Sequence, residues 1–214
     1  MLADGVRLEG DVAVGEGALL SRGVTVGPPQ HLSHLDAPHS TRIGARAILR
    51  EFVTVHGSTE ERPTTIGEGA FLMALCHVGH DCRVGRNAVL TNLVQLAGHV
   101  TVGEGAVVGG GTMVHQFLEI GAWAMVAGMT PVRASIPPYA LVADSGEGAE
   151  ILGVNRRGLP DAGARAAAVE AMKAWKGAEA PEAAVEALGG LGTPQALLLL
   201  AFLEKWKKRC RWHR

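Results

Sequence analysis

The sequence has few aromatic residues, few cysteines and no excess of charge of either sign. Aromatic side chains occupy 4% of the 214 positions, an unusual proportion for a globular core. The three cysteines, an odd number, suit a reducing compartment and offer no disulfide framework. The 20 basic and 21 acidic side chains give a net charge of -1, so composition provides no electrostatic reason to expect nucleic acid as a partner.

Long apolar runs are also missing. The longest run near the C-terminus, ALLLLAFL at 196–203, is much shorter than the roughly 20 residues that cross a bilayer. The N-terminal MLADGVRLEG lacks the basic segment and apolar segment of a signal peptide. The sequence therefore predicts a cytoplasmic protein without stable membrane insertion. The last ten positions carry a basic patch that suits either an acidic partner or a helix end: Lys205, Lys207, Lys208, Arg209, Arg211 and Arg214.

What the sequence has instead is 29 glycines and an aliphatic residue at every sixth position. Twelve aliphatic residues follow this period without a gap: Ile66, Leu72, Val78, Val84, Leu90, Leu96, Val102, Val108, Val114, Ile120, Val126 and Val132. Val6, Val12, Ala18 and Val24 keep the same period earlier in the chain, as do Ile43, Leu49 and Val55. Hexapeptide repeats of this kind predict a parallel β-helix, in which three short strands and three corners complete one coil.

Interruptions of the period define the domain organisation. Residues 1–140 are predicted to form the β-helix, with loops at 27–42 and 57–63 that leave it. Residues 141–214 are predicted to form a mostly helical C-terminal extension. Such an extension covers an open end of the solenoid or contacts a neighbouring subunit.

Three helices are expected within this extension. Residues 161–176 and 194–208 have helical patterns, and PEAAVEAL between them predicts a shorter helix. Thr193 is the expected N-cap of the last helix, because Pro194 follows it at the first helical position.

The period also places five histidines on one edge of the predicted β-helix. They fall at positions 11 to 15 of successive coils, outside the inward aliphatic positions: His56, His77, His80, His99 and His115. Neighbouring coils lie about 4.8 Å apart, so these side chains can share one ligand. The segment CHVGHDC superficially resembles a zinc motif. Cys76 and Cys82, however, occupy the small inward position of their hexads, which predicts core residues rather than ligands or nucleophiles.

Several longer motifs resemble one family. HDCRVG, LAGHVTVGEGAVVGGGTMVHQF, IGAWAMVAGMTPV, IPPYALV and GVNRRGL are similar to the acyl-carrier-protein:UDP-N-acetylglucosamine 3-O-acyltransferases, which begin lipid A synthesis. The similarity covers about residues 42–159. It implies an all-β left-handed parallel β-helix with a C-terminal α-helical region, assembled as a homotrimer with active sites between subunits. The implied substrates are an acyl-carrier-protein thioester and a nucleotide-sugar acceptor, and the implied transfer is direct, without a cofactor or metal.

The same resemblance assigns roles to individual residues. His80 matches the family's general base, Asp81 the carboxylate that orients it, and Gly98 a glycine whose backbone N–H serves as an oxyanion hole. Gly98 also lies one coil after His80 on the same edge. The predicted substrate-binding residues are His56, His77, His99, His115, Gln116, Gln30 and Asn155. Gly128, with Met125 nearby, matches the region that measures acyl-chain length.

Two segments depart from the family pattern. The acceptor-binding loop of the family has Gln-Asp-Leu-Lys where this chain has QHLS at 30–33, so His31 and Ser33 replace the charged pair. Basic residues that face the nucleotide phosphates in the family are replaced by PDA at 160–162, with Arg156 and Arg157 nearby. The residues for acyl transfer are thus retained while the acceptor site differs. The acceptor, an ester or amide product, and the acyl-chain length stay open.

Three alternatives stand beside this function. The first keeps the chemistry but uses a 3-amino sugar nucleotide or another nucleotide sugar. The second is a zinc enzyme like the γ-class carbonic anhydrases, which also place histidines on a hexapeptide β-helix, although the spacing of the histidines here differs from that family's. The third is a non-catalytic trimeric scaffold, against which the joint presence of His80, Asp81 and Gly98 argues.

Overall fold

The computed structural model describes residues 1–146, 148–157, 159, 161–178 and 180–206. The strands, in chain order, are β1 (Arg7–Leu8), β2 (Asp11–Val14), β3 (Leu19–Leu20), β4 (Thr25–Val26), β5 (Ser40–Ile43), β6 (Ile48–Leu49), β7 (Thr54–Val55), β8 (Thr64–Ile66), β9 (Phe71–Leu72), β10 (His77–Val78), β11 (Arg83–Val84), β12 (Val89–Leu90), β13 (Gln95–Leu96), β14 (Thr101–Val102), β15 (Val107–Val108), β16 (Met113–Val114), β17 (Glu119–Ile120), β18 (Met125–Val126), β19 (Pro131–Val132), β20 (Ala140–Asp144) and β21 (Ala149–Val154). The helices are α1 (Ala162–Gly177), α2 (Pro181–Leu191) and α3 (Pro194–Trp206), and a single-turn 3-10 helix, Leu32–His34, precedes β5.

Three sheets form the three faces of one coil. Face 1 is β1-β4-β7-β10-β13-β16-β19, face 2 is β2-β5-β8-β11-β14-β17, and face 3 is β3-β6-β9-β12-β15-β18-β20-β21. Along face 1, Val78 pairs in parallel with Leu96, which pairs with Val114. The parallel β-helix predicted from the repeats is confirmed, and so is the left-handed coil that the family resemblance implies.

The core consists of aliphatic side chains stacked from coil to coil. On face 3, Leu20, Leu49, Leu72 and Leu90 follow one another in adjacent coils, and each has 0% of its surface exposed. Burial of one such side chain is worth about 1.5–3 kcal/mol. The short strands therefore depend on this inward stacking rather than on their own length.

The two cysteines of the CHVGHDC segment belong to this core, as predicted. Cys76 and Cys82 are buried, and their Sγ atoms lie 2.9 Å from Thr91 O and 3.0 Å from Ala97 O. Burial raises the pKa of the Cys76 thiol to about 11 and that of Cys82 to about 12. Because the thiolate is both the metal ligand and the nucleophile, neither residue suits those roles.

Two loops leave the coils. The first connects β4 to β5, and the second connects β7 to β8. The first loop ends at His39 rather than at Arg42, because β5 is longer than most strands. The longer pairing of β5 with β2 is reinforced by Asp11 Oδ2, which accepts hydrogen bonds from Ser40 Oγ at 2.9 Å and Arg42 Nη2 at 2.7 Å.

The C-terminal extension begins with strands rather than helices. β20 continues face 3, and β21 pairs with it in antiparallel orientation. This hairpin was not predicted, because the six-residue period fails after the IPPYA segment. The three helices follow and pack on one another, with the rings of Trp175 and Phe202 5.9 Å apart.

The helix ends agree with the capping residues in the sequence. Thr193 Oγ1 accepts a hydrogen bond from Ala196 N at 3.3 Å, so the predicted N-cap of α3 is confirmed. Asp161 caps α1 through a 2.8 Å bond from Ala164 N. In the basic patch, Lys205 pairs with Glu119, while the residues from Lys207 onward lie outside the described ranges. None of the described helices is both long and apolar enough to cross a bilayer.

A column of glycines allows the coils to stack closely, and this generates a stability prediction. A Cβ built on Gly85 would lie 2.6 Å from Glu104 N and 2.7 Å from Gly103 C. We expect Gly85→Ala to destabilise the fold by about 1–3 kcal/mol, because a backbone shift is needed to fit the methyl group. Equilibrium denaturation measures this loss.

The matched control is Gly189→Ala in α2, where an added Cβ meets nothing within 4 Å. Alanine favours a helix interior over glycine by about 0.8–1 kcal/mol, so this variant should equal or exceed the wild type in stability. Equal stability of Gly85→Ala and the wild type would contradict the stacking argument.

Candidate active site

His80 and Asp81 lie side by side at the corner between β10 on face 1 and β11 on face 2. His80 Nδ1 is 2.7 Å from Asp81 Oδ2, and 18% of the His80 side chain and 5% of the Asp81 side chain are exposed. A neutral imidazole beside a carboxylate places its proton on the nitrogen that faces the carboxylate. The lone pair of His80 Nε2 is then free to accept a proton.

The Asp81 carboxylate is fixed by the second loop. Its Oδ1 accepts hydrogen bonds from the backbone N–H groups of Thr59 at 2.9 Å and Glu60 at 3.2 Å, and Thr59 Oγ1 donates to Oδ2 at 2.6 Å. Burial raises the pKa of this carboxyl, but the hydrogen bonds from Thr59, His80 and Glu60 outweigh burial and hold the pKa below its usual value. Asp81 is therefore ionised at neutral pH and fixes the ring of His80.

Gly98 lies directly against His80, one coil further along. A Cβ at Gly98 would be 2.5 Å from His80 Nε2, so only glycine fits beneath this ring. Gly98 N donates no hydrogen bond to any residue that the structure describes. A free backbone donor and a free imidazole nitrogen thus occur close together.

His99 extends this cluster along the same edge. Its ring lies 5.0 Å from that of His80 and stacks on Phe117 at 4.5 Å. His99 Nε2 is 3.7 Å from Asp81 Oδ2. Donor atoms of His80, Asp81 and His99 all lie within 4.8 Å of one another, a spacing that can hold a metal ion. The Asp81 oxygens, however, already accept the hydrogen bonds described above.

His77 and His56 form a second pair on face 1. Their rings are 5.0 Å apart, and His77 Nδ1 lies 2.8 Å from Thr54 Oγ1. Burial, together with the charge of His56, lowers the pKa of His77 to about 4. Burial also lowers the pKa of His56, whose Nδ1 is buried without a hydrogen-bond partner among the described residues. Both rings are therefore neutral at neutral pH.

The first loop lies over the His80 corner. Gln30 Oε1 accepts a hydrogen bond from His80 N at 3.1 Å, so this predicted binding residue is next to the cluster. His31 and Ser33 contact each other instead, with His31 Nδ1 2.8 Å from Ser33 Oγ. The residue of this loop that reaches the His80 corner is His34, whose ring lies 4.8 Å from that of His80. Sequence reasoning missed His34, because its position in an irregular loop is not fixed by the repeat.

The remaining predicted residues do not gather around His80. His115 and Gln116 are exposed at the corner one coil beyond His99, and His115 Nδ1 contacts Gln116 O at 3.2 Å. Gly128 and Met125 lie on or beside face 3. Asn155 is buried and uses its amide locally, donating to Trp123 O at 2.9 Å and accepting from Arg157 N at 3.1 Å. Within one chain these predicted residues thus lie apart from His80.

Comparison with known proteins identifies the family. A family model described as bacterial transferase hexapeptide (six repeats) matches residues 63–92. The chain is 37% identical over 191 residues to the acyl-carrier-protein:UDP-N-acetylglucosamine O-acyltransferase of Paraburkholderia xenovorans, covering 83% of this chain and 72% of the relative. The chain therefore belongs to the UDP-N-acetylglucosamine O-acyltransferase family.

Two further members of this family show the extent of the match. The O-acyltransferase of Burkholderia orbicola is 36% identical over 149 residues, which are 69% of this chain but 56% of that protein. The solved UDP-N-acetylglucosamine acyltransferase of Campylobacter jejuni is 28% identical with a TM-score of 0.80, over 94% of this chain and 88% of that one. The chain thus spans little more than half the length of the Burkholderia orbicola protein and most of the Campylobacter jejuni protein.

Half-buried His77 makes the stability of this O-acyltransferase family member depend on pH. The folded pKa of His77 is about 4 and its ordinary value is 6.5, so between these pH values the unfolded chain binds a proton that the folded chain excludes. The stability should therefore fall as pH drops from 6.5 toward 4 and should lose nothing more from this group below that range.

His77→Gln removes this titration and keeps a polar group beside Thr54. We expect the variant to lose less stability than the wild type between pH 7 and pH 4.5, by on the order of 2 kcal/mol, as measured by urea denaturation at each pH. His115→Gln, at an exposed position, should follow the wild type. The same pH dependence in His77→Gln and wild type would show that His77 is not held neutral by burial.

Proposed function

We propose that this protein transfers a fatty acyl chain from acyl-carrier protein to the 3-hydroxyl of a UDP-N-acetylglucosamine-type sugar nucleotide, at an early step of lipid A synthesis. The observation that carries this proposal is the ionised Asp81 at 2.7 Å from His80 Nδ1, together with His80 Nε2 and the nearby Gly98 N–H, neither of which has a hydrogen-bond partner among the described residues. The names of the relatives in the O-acyltransferase family support the choice of substrates.

His80 is the general base in this mechanism. A sugar hydroxyl is a poor nucleophile at neutral pH, so His80 Nε2 takes its proton while the oxygen attacks the thioester carbonyl. Asp81 keeps the ring oriented and stabilises the imidazolium that forms. The C–S bond then breaks, and the proton passes from His80 to the departing thiolate of the carrier. Assistance of this kind contributes about 10²–10⁴-fold to rate.

Gly98 supplies the second element of catalysis. The carbonyl oxygen becomes negatively charged in the tetrahedral intermediate and needs a fixed donor. Loss of one such donor costs about 2.7–4 kcal/mol in other acyl-transfer enzymes. The Gly98 N–H is suited to this role, because no described protein group competes for it and because the absent side chain leaves the approach to His80 Nε2 open.

A homotrimer would complete the site. Gly128 and Met125 lie at or near the opposite edge of face 1 from His80, so a neighbouring subunit must supply the acyl-chain region. That edge carries exposed apolar side chains in successive coils, Phe52, Leu75 and Leu93, which are 54%, 50% and 52% exposed. Such a row is typical of a surface that another subunit covers. Exposed Gly128 has no side chain to block a long acyl chain.

A basic surface beside α1 suits the acidic carrier protein. An open depression of about 690 Å³ is lined by Arg156, Arg165 and Lys173, with Glu170 as its acidic member. Ala166 and Val169 give the same surface an apolar floor. A mixed basic and apolar surface of this kind supports docking of an acidic helix.

The central test is the loss of the base. We expect His80→Ala to lower the turnover of acyl-carrier thioester and UDP-N-acetylglucosamine by at least about 10²-fold, measured by mass spectrometry of the acylated product. Thermal melting and sedimentation should show an intact assembly, which separates lost chemistry from lost structure. Near-full activity of His80→Ala would contradict the general-base role.

The rival functions are separated by two measurements on the untagged wild-type protein. A panel of nucleotide sugars, including a 3-amino sugar, identifies the acceptor, since an amide product would favour the amino sugar. Metal analysis tests the carbonic-anhydrase-like alternative. The reason to test it is that donor atoms of His80, Asp81 and His99 lie close enough together to hold a metal ion. We expect acyl transfer without stoichiometric zinc. A full equivalent of zinc with no acyl transfer would favour the zinc enzyme, and neither zinc nor turnover would favour the scaffold.

A further inference from the structure

His34 is held against the catalytic corner by the backbone of its loop. Its ring centroid lies 4.8 Å from that of His80, with an angle of 64° between the rings. His39 Nε2 hydrogen-bonds the carbonyl oxygen of His34, and His34 N donates to His31 O at 2.9 Å. Gln30 ties the start of the loop to the backbone N–H of His80. The position of the His34 ring therefore does not depend on bonds made by its own nitrogens.

Those nitrogens are unused within the described part of the chain. Nδ1 is buried with no hydrogen-bond partner there, and Nε2 makes no hydrogen bond to a described residue. Burial, followed by the nearby rings of His80 and His31, lowers the pKa of His34, so the ring is neutral at neutral pH. A neutral ring carries one N–H. A buried donor without an acceptor is less tolerated than a buried lone pair, so this proton belongs on Nε2.

We propose that His34 is a specificity-determining residue, whose Nε2–H donates a hydrogen bond to an oxygen of the acceptor sugar next to the hydroxyl that His80 deprotonates. This inference rests on the acyl transfer proposed above. A neutral donor suits a hydroxyl or amide oxygen of the sugar better than a phosphate. The loop that lacks the charged pair of the family thus offers a different acceptor contact, one residue beyond Ser33.

Steady-state kinetics of two variants test the hydrogen bond. His34→Phe keeps a flat ring beside His80 but removes the N–H, so the KM for UDP-N-acetylglucosamine should rise roughly tenfold, as expected for one lost hydrogen bond. The KM for the acyl-carrier thioester and the pH profile of kcat should stay unchanged. His34→Gln offers an amide N–H at similar reach and should recover most of the lost affinity. Asp36→Ala, exposed in the same loop, is the matched control and should behave as the wild type.

Other outcomes overturn the inference. An unchanged acceptor KM in His34→Phe would mean that no such bond forms. A shifted pH profile with an unchanged acceptor KM would mean that the residue acts on His80 instead. A failure of Gln to recover what Phe loses would indicate a packing role.

A wild type without turnover would refute the proposed function, and calorimetry with UDP-N-acetylglucosamine would then test His34 by itself. Weaker binding in His34→Phe with recovery in His34→Gln would support the contact. Absence of binding to the wild type would overturn it.

Discussion

The parallel hydrogen bonds between successive coils determine where the side chains of the solenoid lie relative to one another. Because strands pair at a fixed eighteen-residue offset over most of the solenoid, as in His77 opposite Gln95, residues one coil apart in sequence become neighbours across about 4.8 Å. His80 and Gly98 are such a pair. The same constraint sets the backbone of Gly98 at a distance from His80 Nε2 that no side chain could fill. The geometry of the proposed site therefore follows from the geometry of the scaffold.

Within the solenoid, hydrogen bonding keeps Asp81 ionised, whereas burial keeps His77 neutral. Asp81 is buried, yet three donors from the second loop and the ring of His80 keep it ionised. His77 is buried beside His56 and a single hydroxyl, so burial prevails and the ring stays neutral. The ionised state of Asp81 comes from the hydrogen bonds that the second loop donates to its carboxylate. A loop that looks like a simple insertion in the repeat thus holds the Asp81 carboxylate in place.

The sequence predicts those parts of the protein that the period controls. The six-residue period identifies the inward positions, including Cys76 and Cys82. His80 and Gly98 are predicted to be adjacent because they are one coil, eighteen residues, apart in sequence. The period does not specify the loops, whose paths depend on long-range contacts such as that between Gln30 and His80 N. His34 was therefore missed, and the hairpin of β20 and β21 was missed where the period ends. The proposed approach of Gly128 to His80 across subunits does not follow from the fold of one chain, because the two residues lie on different edges of the coil.

Asp81 and His99 have φ angles of +59° and +61°, in the left-handed region that residues with a side chain avoid at a cost of about 1–2 kcal/mol. Corners of the same kind elsewhere in the coils hold glycine at Gly69 and Gly105 but carry a side chain at Asn87 and Trp123. The left-handed corner is therefore a property of the solenoid rather than of the site. Because the solenoid accepts side chains at such corners, a functional residue can be gained, lost or moved by one coil through substitutions alone, while the backbone keeps its path.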